Sequence, residues 1–214
     1  DTAALDTTAA ITVSLEDVNG GNVGAAPITG TTNGVEAGQT VTLQVTDGTA
    51  TVTVTAVVNP DGSYSTTADL SGLADGPLTV TASVSDTAGN PATATDTAAL
   101  DTTAAITVSL EDVNSGSAAA APITGTTNGV EAGQTVTLQI TDGTATVTVT
   151  AIVNPDGSYT TTADLSTLAD GPLTVTATVS DTAGNPATAT DTAALDTTAA
   201  ITVSLDDVNG GNVA

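Results

Sequence analysis

QTVTLQVTDGTATVTVTAVV, residues 39–58, decides the fold. Val41, Leu43 and Val45 alternate with Thr40, Thr42, Gln44 and Thr46; beyond Asp47-Gly48 the pattern resumes, with Val52, Val54 and Ala56 set among Thr51, Thr53 and Thr55. A period of two sends one set to a buried sheet face and the other to solvent, and Asp-Gly between two such runs is a turn. The stretch therefore reads as two half-buried antiparallel strands. Read outward, the same alternation predicts strands over 10–15 (Ile11, Val13 and Leu15 inward), 28–32, 63–70 (Tyr64, Thr66, Ala68 and Leu70 inward), 78–85 (Leu78, Val80, Ala82 and Val84 inward) and, more weakly, 92–97. Asn33-Gly34, Asn59-Pro60-Asp61-Gly62, Asp75-Gly76-Pro77 and Ala88-Gly89-Asn90-Pro91 supply turn chemistry between them. Seven strands result, and helix is excluded almost everywhere.

The pattern is copied. DTAALDTTAAITVSL begins at Asp1 and returns at Asp96 and Asp191, a period of 95 residues. The two full copies differ at nine positions, four of them in one loop: Gly20 to Ser115, Asn22 to Ser117, Val23 to Ala118 and Gly24 to Ala119. Such a period exceeds that of solenoid repeats and approaches the roughly 100 residues of an immunoglobulin-type sandwich. The expectation is an all-β chain of tandem Ig-like, seven-stranded β-sandwiches joined end to end by short linkers. Residues 1–95 and 96–190 each form one repeat with its linker, and 191–214 supply the linker, first strand and part of a loop of a third. Residues 96–101 are expected to be the linker between repeats. The cores are small and aliphatic, with one Tyr per repeat, so a further stabiliser is expected.

Composition narrows the function. Lys, Arg, His and Cys are absent, while Asp and Glu number 24. Phosphate contacts need cationic side chains, so nucleic acid is excluded, as are anionic membrane surfaces. Catalysis is reduced to carboxylate pairs without a sugar-binding cleft, and the chain is read as no enzyme. With no cation in the chain, every carboxylate must be solvated, bound to N–H or hydroxyl groups, or bound to an external cation. Calcium, a hard cation taking oxygen ligands, fits that need.

Alternating strands sort loops to two poles, and each pole gathers acids distant in sequence. The C-terminal pole of the first repeat collects Glu16, Asp17, Asn19, Asp47, Asp75 and Asp96; the N-terminal pole of the second collects Asp101, Glu131, Asp156, Asp181 and Asn185. The candidate calcium ligands are Glu16, Asp17, Asp75, Asp96, Asp101 and Asp181, with Glu111, Asp112, Asp170 and Asp191 one period on. Asp47, Asp61 and Asp69 read instead as turn or solvated-face residues.

Asp101-Thr102-Thr103-Ala104 and Ser180-Asp181-Thr182-Ala183-Gly184-Asn185 resemble the bacterial Ig-like repeats of large secreted adhesins. The resemblance covers both repeats and the stub. It implies that Asp6 with Asp86, Asp101 with Asp181, and Asp196 lie at calcium-binding junctions. It implies an extender of a biofilm or RTX-type adhesin at the cell surface, exported by a type I system, whose partners are neighbouring repeats while any adhesive ligand binds elsewhere. One departure is Ala at positions 10, 105 and 200, where such repeats commonly carry Pro. The alternatives are a binding module using outward Thr rows (40, 42, 46; 51, 53, 55; 79, 81) on ice or polysaccharide, and a filament formed by strand donation from the stub.

Overall fold

The structure, a computed structural model, describes residues 7–204; Asp6 lies outside them. In the first repeat the strands are β1 (Ala10–Ile11), β2 (Ser14–Leu15), β3 (Val18–Asn19), β4 (Ala26–Asn33), β5 (Thr40–Thr46), β6 (Thr51–Val57), β7 (Ser63–Ala68), β8 (Gly76–Ser85) and β9 (Pro91–Asp101), with a 3₁₀ turn at Val23–Ala25. The second repeats the order: β10 (Ala105–Ile106), β11 (Ser109–Leu110), β12 (Val113–Asn114), a 3₁₀ turn at Ala118–Ala120, β13 (Ala121–Asn128), β14 (Thr135–Thr141), β15 (Thr146–Ile152), β16 (Ser158–Ala163), β17 (Gly171–Ser180) and β18 (Pro186–Asp196).

Each repeat is a sandwich. One sheet places β4 between β7 and the β1/β2 edge; the other runs β3-β9-β8-β5-β6. The 39–58 hairpin pairs as its alternation demands, Val45 opposite Val52 and Leu43 opposite Val54. Val41, Leu43, Val45, Leu78, Val80 and Ala82 are fully buried on the inner face of this sheet, against Ala26, Ile28 and Tyr64 of the other. The second core, Leu110 to Leu195, shares no residue with the first.

The strand expected over 10–15 is interrupted for a physical reason. Its two pieces keep one register against β4, Ile11 opposite Thr32 and Ser14 opposite Thr29. Between them the hydroxyl of Tyr64, reaching from β7, donates to the Thr12 carbonyl. That carbonyl no longer serves the ladder, and the Thr12 hydroxyl accepts the Thr31 N–H instead, at 2.9 Å. Tyr64 reaches this point because Gly30 of β4 lies beneath it: a Cβ there would meet the Tyr64 ring at 2.4 Å and the Thr12 oxygen at 2.2 Å. Tyr159, Gly125 and Thr107 repeat the arrangement. Burial pushes both phenols up to about 12, in keeping with hydroxyls that act only as donors.

Two further readings are corrected. Residues 96–101, expected as linker, continue β9: Asp96 pairs with Val80 and Leu100 with Gly76. Ala92, Ala94, Asp96, Ala98 and Leu100 form its inward set, and Leu100 is buried in the first core. The acid in DTAAL disguised a strand whose inward residues are mostly alanine. The second correction is an added strand: β3 pairs in parallel with the end of β9, Val18 with Leu100 and Asn19 with Asp101. At the far end, residues 199–204 carry no strand, and Ile201 and Val203 are almost fully exposed. Among the described residues no counterpart of β4 follows them, and β4 or β13 is the partner that the equivalent segment uses in each repeat.

Candidate functional site

Among the described residues, most carboxylates are engaged by backbone N–H and hydroxyl groups. Asp47 Oδ1 accepts from the amides of Thr49 and Ala50 at 2.7 Å and from the Thr49 hydroxyl, and its Oδ2 accepts from the Ala74 amide at 2.9 Å. One side chain thus closes its own turn and ties it to the next loop. These bonds, the one from Ala74 foremost, hold its carboxyl far below the usual carboxylate range; Asp142 is held low likewise, there by the Ala145 amide first and the Ala169 amide next. Asp61 and Asp69 accept from the hydroxyl and amide of Ser63 and Ser71, as turn residues should. Asp96 and Asp191, expected at a junction, face inward in mid-strand and accept from the amides of Leu15 and Leu110 on the opposite sheet at 3.0 Å. Their work is inside the sandwich.

Other acids converge where the repeats meet. Asp75, in the turn before β8, accepts from the amide and hydroxyl of Thr102 at 3.1 and 2.9 Å and from the Thr103 hydroxyl at 3.2 Å. It grips the chain just as it leaves β9. Asp170 does the same to Thr197 and Thr198, and the Thr197 hydroxyl foremost lowers its pKa. Changing Asp75 to Ala is expected to accelerate hydrogen exchange at the Thr102 amide several-fold while leaving the melting of both sandwiches unchanged. A fall in melting temperature would show that the grip serves the fold.

Asn185 is the centre of the junction. It is only 4% exposed. Its backbone amide donates to Asp181 Oδ1 at 2.8 Å, and its Nδ2 donates to Asp181 Oδ2 at 2.7 Å and to the Asp101 carbonyl at 2.9 Å. Its Oδ1 accepts the Gly20 N–H from the first repeat at 2.7 Å, and Asn19 Nδ2 donates to the Ala183 carbonyl at 2.7 Å. Burial raises the pKa of Asp181, but the Asn185 side chain and the amides of Asn185, Gly184 and Ala183 outweigh it and hold the carboxyl low. Asp101 and Asp181, expected to share an ion, are thus brought together around an amide. Asp86 holds Asn90 similarly in the first repeat.

A cleft of about 380 Å³ opens beside this contact, lined by Asp17, Asn19, Asp101, Glu131, Thr182 and Ala183. Asp17 Oδ1 accepts from the Ala99 amide at 2.8 Å, and Glu131 accepts from the amide and hydroxyl of Thr182. The hydroxyl foremost, with the amide, lowers the pKa of Glu131. The donors are all oxygens, as a hard cation prefers, yet among the described residues no three acids gather closely enough to hold an ion as they stand. Glu16 and Glu111 are exposed, and Asp112 accepts from the Ala194 amide as Asp17 does from Ala99. Asp196 accepts from the Thr198 amide. Glu131 was placed at the pole by its loop but was not among the expected ligands; only the fold shows it facing Asp17 and Asp101 across the joint.

The outward Thr rows form a grid, Thr46 opposite both Thr51 and Thr79, Thr42 opposite Thr55, and Thr79 opposite Thr97. Directly opposed Thr pairs stabilise an antiparallel sheet by themselves.

No family model matches the chain, and no curated protein does. The chain is similar to a solved structure described as a tetra-tandem repeat in the extending region of a large adhesion protein, with 38% identity over 88% of this chain and 50% of that one, TM-score 0.46. It is also similar to a Ca²⁺-stabilised adhesin of an Antarctic bacterium that binds ice, with 28% identity over 94% of this chain and 51% of that one, TM-score 0.49. A third likeness is a bacterial immunoglobulin-like domain of the M. primoryensis ice-binding adhesin, with 25% identity over 45% of this chain and 99% of that one, TM-score 0.32. The chain spans about half the length of the first two. These are tandem repeats and Ig-like domains of large adhesins, the kind its DTTA and SDTAGN motifs resemble.

Proposed function

We propose that this chain is a non-catalytic extender of a bacterial surface adhesin, whose repeats lock end to end and hold an adhesive region away from the cell. The observation that carries the reading is the Asn185 junction, where an asparagine side chain of each repeat is satisfied by the backbone of the other. A further support is the near-identity of the copies, since a spacer needs duplicates rather than distinct sites. Strands of ten and eleven residues at about 3.3 Å per residue give each repeat a reach of roughly 35 Å. In this reading one unit ends at Asp101 and the next begins at Thr102, because β9 carries the former linker. The same role places the chain outside the cell; among the described residues no helix is long and apolar enough to cross a membrane.

Calcium belongs to this proposal. Asp17, Asp101 and Glu131, which line the junction cleft, would hold it after drawing closer than they now stand, with Asp112 and Asp196 the corresponding residues one period on. When bound, the ion neutralises carboxylates that otherwise repel across the joint. Stripping divalent ions with excess chelator is expected to lower the melting temperature and broaden the interdomain arrangement seen by small-angle scattering, and added calcium is expected to restore both. Identical melting curves and scattering profiles in chelator and in calcium would remove the ion from the proposal and leave the hydrogen-bonded joint standing alone.

A further inference from the structure

The loop that differs most between the two repeats is the loop that touches the next repeat. In the first junction Asn19 and Gly20 reach across, Gly20 through its N–H to Asn185. In the second repeat the same places hold Asn114 and Ser115. The loop keeps its internal bonds despite the exchanges. Asn19 N donates to Asn22 Oδ1 at 2.8 Å in one copy, and Asn114 N donates to Ser117 Oγ at 3.1 Å in the other. Gly21 N and Gly116 N each donate to the preceding Asn Oδ1 at 2.9 Å. Position 22 therefore preserves the loop, and Val23 packs against its own core.

Position 20 is different, because it faces the neighbour. A Cβ on Gly20 would lie 3.1 Å from Asn185 Oδ1 and 3.5 Å from the Thr102 carbonyl, whereas a Cβ on Gly24 meets nothing within 4 Å. A contact of 3.1 Å forces the joint to give by a few tenths of an ångström, which lengthens the bond from the Gly20 amide and weakens it.

We propose that the residue at this position selects the joint a repeat makes with its successor. Glycine permits the close, fixed contact, and serine, as at Ser115, gives a looser one. The inference rests on the extender reading and refines it: an array of near-identical sandwiches then carries joints of two stiffnesses, written by one residue. The third copy reads Asn209-Gly210-Gly211-Asn212 at the corresponding positions, with glycine again at the selecting place.

The chain contains no Cys, so Thr53→Cys with Thr148→Cys, both at exposed strand positions, places one spin label on each repeat. Interdomain distance distributions by pulsed electron resonance are compared for this pair alone, with Gly20→Ser added, and with Gly24→Ala added. Gly20→Ser is compatible with folding, since the second repeat carries serine there. Loss of about one net hydrogen bond is expected to raise the population outside the main distance peak about fivefold, while Gly24→Ala leaves it unchanged. A broad distribution in the parent pair overturns the extender reading itself. A narrow parent with an equally narrow Gly20→Ser overturns only the selector, as does a Gly24→Ala change that broadens the peak as much as Gly20→Ser.

Discussion

Tyr64→Ala is expected to unfold the first repeat at room temperature while the second stays native. Tyr64 is 1% exposed, and truncating a large buried aromatic costs about 3–5 kcal/mol. The change also removes the hydroxyl that satisfies the Thr12 carbonyl, leaving an interrupted edge with nothing to bridge it. An ordinary small domain has roughly 5–15 kcal/mol in hand. This one, built on Ala, Val and Leu, should sit at the lower end, so the truncation together with the orphaned Thr12 carbonyl, about 1–3 kcal/mol more, consumes it. The chain has two Tyr and no Trp; in the variant Tyr159 alone reports by fluorescence, and its melting should match that of the second repeat in the parent. One cooperative transition embracing the whole chain would show the repeats to be a single folding unit.

The mirror experiment uses Gly125→Ala. The added methyl would sit 2.2 Å from the Thr107 carbonyl oxygen and 2.4 Å from the Tyr159 ring, and neither has room to retreat inside a packed sheet. Overpacking typically costs about 1–3 kcal/mol, and backbone contacts this short place the variant at or beyond the upper end. Calorimetry should show the second repeat melting well below the first. Combining Gly125→Ala with Tyr159→Ala should cost less than the sum of the two, because both act on one contact; full additivity would mean that the glycine and the tyrosine do not meet.

Strands 39–58 and 78–85 were legible because their inward residues are mostly Val and Leu and their outward ones mostly Thr, over runs long enough for the alternation to stand out. The end of β9 was not: Ala94, Asp96 and Ala98 give a weak inward set, and an acid in the middle looks like solvent until its partner, the Leu15 amide on the opposite sheet, is in view. For the same reason the acids were located more reliably than their work was understood. That Asp17, Asp101 and Asp181 gather near one joint follows from strand alternation alone. That Asn185 stands between Asp101 and Asp181, and that Asp75 grips Thr102, depends on loop geometry that composition does not encode. The tyrosine–glycine lock left a trace in the sequence, a lone aromatic in an aliphatic core and a Gly inside an otherwise good strand, a known sign of close approach.

The parallel pairing of β3 with the last residues of β9 bears on what happens when the array is tugged. A pull applied between the start of a repeat and the end of its exit strand loads β3 and β9, which run parallel, in shear. The bonds at Val18, Asn19, Leu100 and Asp101, with that from Ala99 to Asp17, then lie crosswise to the load and bear it together instead of opening one after another. If the proposed extender role holds, this pairing would resist shear at the point where each repeat hands tension to the next.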